Sequence, residues 1–248
     1  VIPLKSAADI DAIAHAGRVL AALFRELESR VRPGVTTAEL DAFGEEFIRS
    51  HDGALPSFKG LYGFPGSLCT SVNEEVVHGI PSARRLEEGD IISLDAGVKL
   101  GGWFADAART FPVGEVDVET RRLLDVTWQS LLAGIDQARP GRRLGDIGHA
   151  IQRVAEGAGF GVVRDLVGHG IGRLPHEEPQ VPNYGRPGRG VRLETGMVMA
   201  IEPMINAGDA AIRTLADQWT VVAADGRRSA HFEQTVAITE NGPRVLTA

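Results

Sequence analysis

Leu86-Glu87-Glu88-Gly89-Asp90-Ile91-Ile92-Ser93-Leu94-Asp95 returns 107 residues further on as Leu193-Glu194-Thr195-Gly196-Met197-Val198-Met199-Ala200-Ile201-Glu202. Both copies run from a leucine through a glycine turn into an apolar strand, and both end in a carboxylate. The same offset carries Arg32-Pro33-Gly34 onto Arg139-Pro140-Gly141, and the helix face Leu40, Phe43, Phe47 onto Ile147, Ala150, Val154. One offset shared by separated windows points to an internal duplication, roughly 32–115 and 139–240, within a single domain spanning 1–248. Two copies are too few for a solenoid. The expectation is a two-lobed unit, with ligands favoured at the seam between the lobes.

In the first copy Ile92, Leu94, Ala96 and Val98 alternate with Ile91, Ser93, Asp95 and Gly97, the pattern of a strand carrying a carboxylate on its less bulky face. Lys99-Leu100-Gly101-Gly102 then forms a turn, and a second strand covers 103–113. With the turn centred between Leu100 and Gly101, Asp95 stands directly opposite Asp106, where Cβ atoms lie about 4.5–5.5 Å apart. Two buried carboxylates so placed cannot both ionise comfortably without a cation. Arg109 points to the other face by strand parity, so the pair reads as a divalent-metal site or an acid/base dyad, the alternative being a solvated edge hairpin with two surface acids. The second half adds Glu202, ending the apolar strand 197–201, and Glu233, opening Glu233-Gln234-Thr235-Val236-Ala237-Ile238. Ser93, Gly97, Ala108, Ala200 and Thr235, small residues on the same faces, leave room for ions and water.

The helical signals lie outside these strands. Ser6 and Asp9 have capping-box spacing ahead of Ile10, Ile13, Gly17, Leu20, Phe24, Leu27 and Val31, and Arg32-Pro33-Gly34 ends that helix. Thr37 precedes a second helix, which closes before Asp52-Gly53.

His15 and His149 lie within helical patterns, His51 stands at a helix end, and His231 shares the Glu233 face. Three other histidines have glycine or proline beside them and are held on loops or strand ends. These are His78 before Gly79-Ile80-Pro81, His169 in Gly168-His169-Gly170-Ile171-Gly172, and His176 in Pro175-His176-Glu177-Glu178-Pro179. The glycine run around His169 has the wrong spacing for a dinucleotide fingerprint. Cys69 reads as a pocket-lining thiol rather than a nucleophile, and the sequence has no Gly-x-Ser-x-Gly elbow.

Composition excludes several other classes. The 248 residues are 43% hydrophobic and 24% charged, ordinary for a globular chain long enough to bury a core. Lys and Arg number 26 against 33 Asp and Glu, a net charge of −7 that argues against a nucleic-acid footprint. No apolar run reaches membrane-spanning length, and the first residues do not read as a signal peptide. A single cysteine fits a reducing compartment, so cytoplasm is the expected location.

Taken together, Ser71-Val72-Asn73-Glu74-Glu75-Val76-Val77-His78-Gly79-Ile80-Pro81, Gly89 to Asp95 with Asp106, the His169 and His176 segments, Glu202-Pro203 and Glu233-Gln234-Thr235 closely resemble the type I methionine aminopeptidases of peptidase family M24. They run in family order across nearly the whole chain. The resemblance implies an α+β pita-bread fold, with two pseudo-symmetric halves around a central antiparallel sheet that carries a dinuclear metal site. It implies Asp95, Asp106, His169, Glu202 and Glu233 as ligands of two divalent ions such as Co, Mn or Fe, with Asp106 and Glu233 bridging. It implies His78 and His176 as catalytic residues contacting substrate, Glu202 as proton acceptor, and a methionine pocket built from Leu61, Tyr62, Phe64, Cys69 and Trp219. Leu61 and Phe64 replace tyrosines common in bacterial relatives, Phe58 stands where many have a smaller residue, and Pro175 where an aromatic is frequent. The implied activity is removal of N-terminal methionine ahead of a small second residue. The expected partners are nascent polypeptide N-termini and the ribosome, with no DNA or membrane, and the expected state is a monomer. The rivals are an Xaa-Pro peptidase of the same fold and a non-catalytic pita-bread scaffold.

Overall fold

Four helices and one large antiparallel sheet organise residues 2–248, the part of the chain that the computed structural model describes. Helix α1 (Ala7–Arg30) starts at Ser6, whose side chain forms the expected capping box with Asp9. Helix α2 (Thr37–Arg49) starts one residue earlier than the sequence reading has it: Thr36 is the cap, because its extended backbone and the Glu39 carboxylate three residues on close a second box. Helices α3 (Val118–Gln137) and α4 (Leu144–Gly157) follow the central hairpin.

The sheet runs in the order Leu55–Pro56, Ile91–Leu100, Trp103–Pro112, Glu233–Thr239, Val198–Ile201, Gly168–Gly170, Glu177–Val181. Leu68–Val72 also pairs with Ile91–Leu100, and Gly242–Val245 with Glu233–Thr239. Helix α1 buries Leu20, Leu23 and Phe24 in one cluster with Leu94, Ala96, Val98, Ala105 and Ala107. Leu131 and Ile135 of α3 and Ile147 and Ile151 of α4 cluster with Met199, Ile201, Val236 and Ile238. Each of the larger side chains taken out of water contributes about 1.5–3 kcal/mol, and together they fix which strand faces meet the helices. Side chains of the other parity, Asp95 and Asp106 among them, therefore turn away from α1. Arg109, on the helix side, lies over the Phe24 ring at 5.5 Å.

Backbone contacts recur at an offset of 107. Gly34 N donates to Leu86 O and Gly141 N to Leu193 O, at 2.7 and 2.9 Å. Leu86 N donates to Val35 O and Leu193 N to Arg142 O, at 2.9 and 2.8 Å. Isolated bridges join Thr36 to Arg85 and Arg143 to Arg192.

The central hairpin corrects one expectation. Leu100 pairs with Trp103, so the turn is the two residues Gly101 and Gly102, both at positive φ (59° and 80°). Two such residues match the right-handed twist of the flanking strands and set the register. Gly97 faces Asp106 and Asp95 faces Ala108. The two acids are thus diagonal neighbours on one face rather than directly opposed.

The two ends of the chain cross between the halves. Lys5 N donates to Gly196 O at 2.7 Å, and Gly196 N to Ile238 O at 2.9 Å. Leu246, near the other end, is buried in the α1 cluster, and its N–H donates to Thr235 O at 2.8 Å.

Candidate metal centre and its cavity

Ala108 sits between two carboxylate-bearing strands: Asp95 is its partner on one side and Glu233 its partner on the other. Its methyl group, fully buried, keeps the space beside these acids open. Asp106, two residues back on the same strand, is held across the seam by Thr235. The Thr235 hydroxyl donates to Asp106 O at 2.8 Å and accepts from Asp106 N at 3.0 Å.

His169 comes from the strand Gly168–Gly170, and both glycines are sterically required. A Cβ at 168 would lie 2.4 Å from Ala200 O, and one at 170 would lie 2.2 Å from Glu178 O. His169 Nδ1 is 2.9 Å from Gly170 O. A carbonyl oxygen only accepts, so Nδ1 carries the proton and Nε2 presents its lone pair. One ligand-type atom from each of Asp106, His169 and Glu233 lies within 4.8 Å of the others. Asp95 and Glu202 stand outside that trio but line the same cavity, and Glu202 Oε1 is 3.5 Å from His169 Nε2.

The electrostatics call for a cation. Asp95 Oδ1, Asp106 Oδ1 and Glu233 Oε1 are buried without a hydrogen-bond partner. Burial, reinforced by the neighbouring carboxylates, raises Asp95, Glu202 and Glu233 well above the ordinary carboxylate range. Burial lifts Asp106 to about 7 and pushes His169 down to about 4, with His176 adding to the effect. A divalent ion reverses this by favouring the ionised acids and a neutral imidazole. Four carboxylates and one imidazole, with no thiolate among them, fit Mn-, Fe- or Co-type ions.

The cavity encloses about 600 Å³. Its apolar end gathers Phe58, Phe64 and Cys69, with Leu61, Ile80 and Trp219 packed against them. Phe64 meets Trp219 edge-to-face at 5.1 Å. Cys69 pairs with Asp95 on the adjacent strand, and burial plus that acid push its thiol well up, so it is no nucleophile. Tyr62 lines the same cavity, but at its mouth rather than its apolar end. Its left-handed backbone (φ 51°) leaves it 77% exposed at the cavity mouth, stacked near His176 at 6.1 Å.

His78, also left-handed (φ 60°), lines the cavity, and burial lowers its pKa. His176 meets the His169 ring edge-to-face at 4.5 Å. The next residue, Glu177, ties the loop down: its carboxylate accepts from Lys5 Nζ at 2.6 Å and from the Arg173 and Leu174 N–H groups at 2.7 and 3.1 Å. The structure adds Ile80 to the apolar end and His231 to the lining, neither of which the sequence reading places there. A position two residues before Glu233 was the one signal for His231. Burial, with His78 next, pushes its imidazole down to about 3.

A family model for metallopeptidase family M24 matches residues 11–240. The chain belongs to metallopeptidase family M24. A methionine aminopeptidase of Clostridium perfringens is 55% identical over 247 residues, covering 100% of this chain and 99% of that one. The crystal structure of methionine aminopeptidase from Rickettsia prowazekii superposes with a TM-score of 0.98 at 42% identity, covering 100% of both chains. Prolidase from Pyrococcus furiosus shares the fold alone, with a TM-score of 0.80 at 22% identity over 99% of this chain and 65% of that one. The M24 chain accordingly has the pita-bread fold and is a metallopeptidase.

Proposed function

We propose that this chain is a methionine aminopeptidase that hydrolyses the first peptide bond of polypeptides beginning with methionine. The observation that carries this reading is one cavity joining five ligand-type side chains to an apolar end, in a chain 55% identical to a methionine aminopeptidase along its whole length. Asp95, Asp106, His169, Glu202 and Glu233 would hold two divalent ions, with Mn, Fe and Co suited to the donor set. Such ions supply a Lewis acid for the scissile carbonyl and lower the pKa of an attacking water. Glu202 receives the proton that the water gives up. His78 donates a hydrogen bond near the scissile amide, and His176 steadies the carbonyl oxygen as charge gathers there. The cluster around Phe64 and Trp219 takes the methionine side chain, and the substrate's free amino group lies against the acids, which restricts cleavage to chain ends.

Substrates would be nascent chains with a small second residue, met at the ribosome by a cytoplasmic monomer; the lone Cys69 suits a reducing compartment. The contacts repeated at an offset of 107 support reading 32–115 and 139–240 as two copies of one unit within a single domain. The Xaa-Pro and scaffold readings are not favoured: the prolidase match is distant, and all five ligand-type residues are present.

The test is to load metal-stripped protein with Mn, Fe or Co and offer Met-Ala-Ser and Ala-Pro-Ala. Release of methionine from the first peptide alone is expected; cleavage before proline alone overturns the reading.

A further inference from the structure

His231 is a buried imidazole in the cavity wall that the mechanism above does not use. Its main chain is clamped on both sides by one hydroxyl: Thr110 Oγ1 accepts from His231 N at 2.9 Å and donates to His231 O at 2.8 Å. Thr110 is in turn 2.8 Å from Ser93 Oγ. His231 is 1% exposed, yet its Nε2 has no hydrogen-bond partner. Leaving such an atom unpaired costs about 1–3 kcal/mol, so a partner in the working state is to be expected. Glu202 Oε2 stands 3.8 Å away, within reach of a small side-chain rotation or one bridging water.

Glu202 is therefore approached from two sides. Its Oε1 lies toward His169 Nε2 at 3.5 Å, and its Oε2 lies toward His231 Nε2 at 3.8 Å. A neutral imidazole carries one N–H. With that proton on Nε2, His231 engages one carboxylate oxygen and leaves the other free.

We propose that His231 is a positioning residue for Glu202, donating from Nε2 to Oε2, directly or through one water, so that Oε1 faces the metal and the reacting atoms. The proposal rests on the reading of Glu202 as a ligand and proton acceptor. Residues that orient metal ligands in this way typically change metal affinity by roughly 10- to 100-fold when removed.

Two variants test it. His231→Leu fills the space without a donor, whereas His231→Gln keeps an amide N–H. In calorimetric titrations of metal-stripped protein with Mn²⁺, the Leu variant should bind roughly 10-fold or more weakly and the Gln variant close to the parent. On Met-Ala-Ser, the Leu variant should lose kcat with KM little changed, and the Gln variant should restore kcat. Melting curves of the metal-free proteins exclude unfolding as the cause. Parental Mn²⁺ binding and kcat in the Leu variant would overturn the proposal, and so would equal losses in both variants, which would mark His231 as packing alone. If the parent releases no methionine, the proposed activity fails, yet the Mn²⁺ titrations still decide whether His231 orients Glu202.

Discussion

Thr235 grips Asp106 from the far side of the seam, donating to its carbonyl at 2.8 Å and accepting from its N–H at 3.0 Å with a single hydroxyl. These bonds form where the ladder between Trp103–Pro112 and Glu233–Thr239 ends, after Glu233 with Ala108 and Gln234 with Ala107. A side chain from the second half thus takes over the backbone pairing of an acid from the first. Thr235→Val keeps the shape and removes both bonds. It should cost about 1–3 kcal/mol in denaturant unfolding and weaken Mn²⁺ binding by roughly 10-fold. Unchanged Mn²⁺ affinity would separate Thr235 from the placement of Asp106.

Asp106→Asn should act in opposite directions with and without metal. Without a cation it removes one of several buried carboxylates that repel one another, so the metal-stripped variant should melt higher than the metal-stripped parent. With Mn²⁺ present the order should reverse, since the parent gains binding energy that the variant loses. Thermal melts with and without chelator read both outcomes; a variant less stable than the parent under chelation would contradict the account.

The pH dependence of the metal-free protein follows from the same groups. Asp106 is raised to about 7, and Asp95, Glu202 and Glu233 lie well above their ordinary values. A carboxylate whose folded pKa exceeds its unfolded one is more protonated in the native state, so stability falls as pH rises through the folded value. His169 and His231, held at about 4 and 3, act in the opposite sense. Their contribution, with that of His78 and His176, which burial also lowers, is complete only about one unit above the ordinary histidine pKa near 6.5. Above about pH 7.5 the acids alone remain, and Tm in chelator should drop between there and about pH 8.5. Saturating Mn²⁺ should flatten that slope, and a Tm that climbs over the interval would refute the assignment.

At the apolar end, Phe64→Ala removes about 1.5–3 kcal/mol of contact for a methionine side chain. The expected kinetic result is a roughly 10- to 100-fold fall in kcat/KM for Met-Ala-Ser, carried mainly by KM. A fall confined to kcat would place Phe64 in the chemistry rather than in binding.

The parts of this site that follow strand parity could be read from residue order. Asp95 and Asp106 share a face whether the hairpin turn has its centre before or after Gly101, because the alternative registers differ by an even step. Their exact opposition could not be read, since it depends on the positive φ of both Gly101 and Gly102. Helix α3 escaped notice because its buried face includes Thr120, Thr127 and Ser130, which blur the apolar period. The family resemblance names Tyr62 for the pocket but not its depth, and the left-handed backbone at that residue goes with a ring left exposed at the cavity mouth. His231 carries no local motif, and only the approach of the Ser229–His231 and Met204–Asn206 strands shows that it lies beside Glu202.

The crossing of the chain ends has a mechanical consequence. The segment before α1 is fastened to the second half through Lys5 and Gly196, while Leu246 is buried under the first half's helix. Each lobe therefore holds a segment of the other, like two hands clasped at the wrist. Sliding one lobe past the other would have to break these fastenings as well as the ladder that joins Trp103–Pro112 to Glu233–Thr239, so the gap between the Asp95–Asp106 pair and the Glu202–Glu233 pair is braced from outside the strands that bear them.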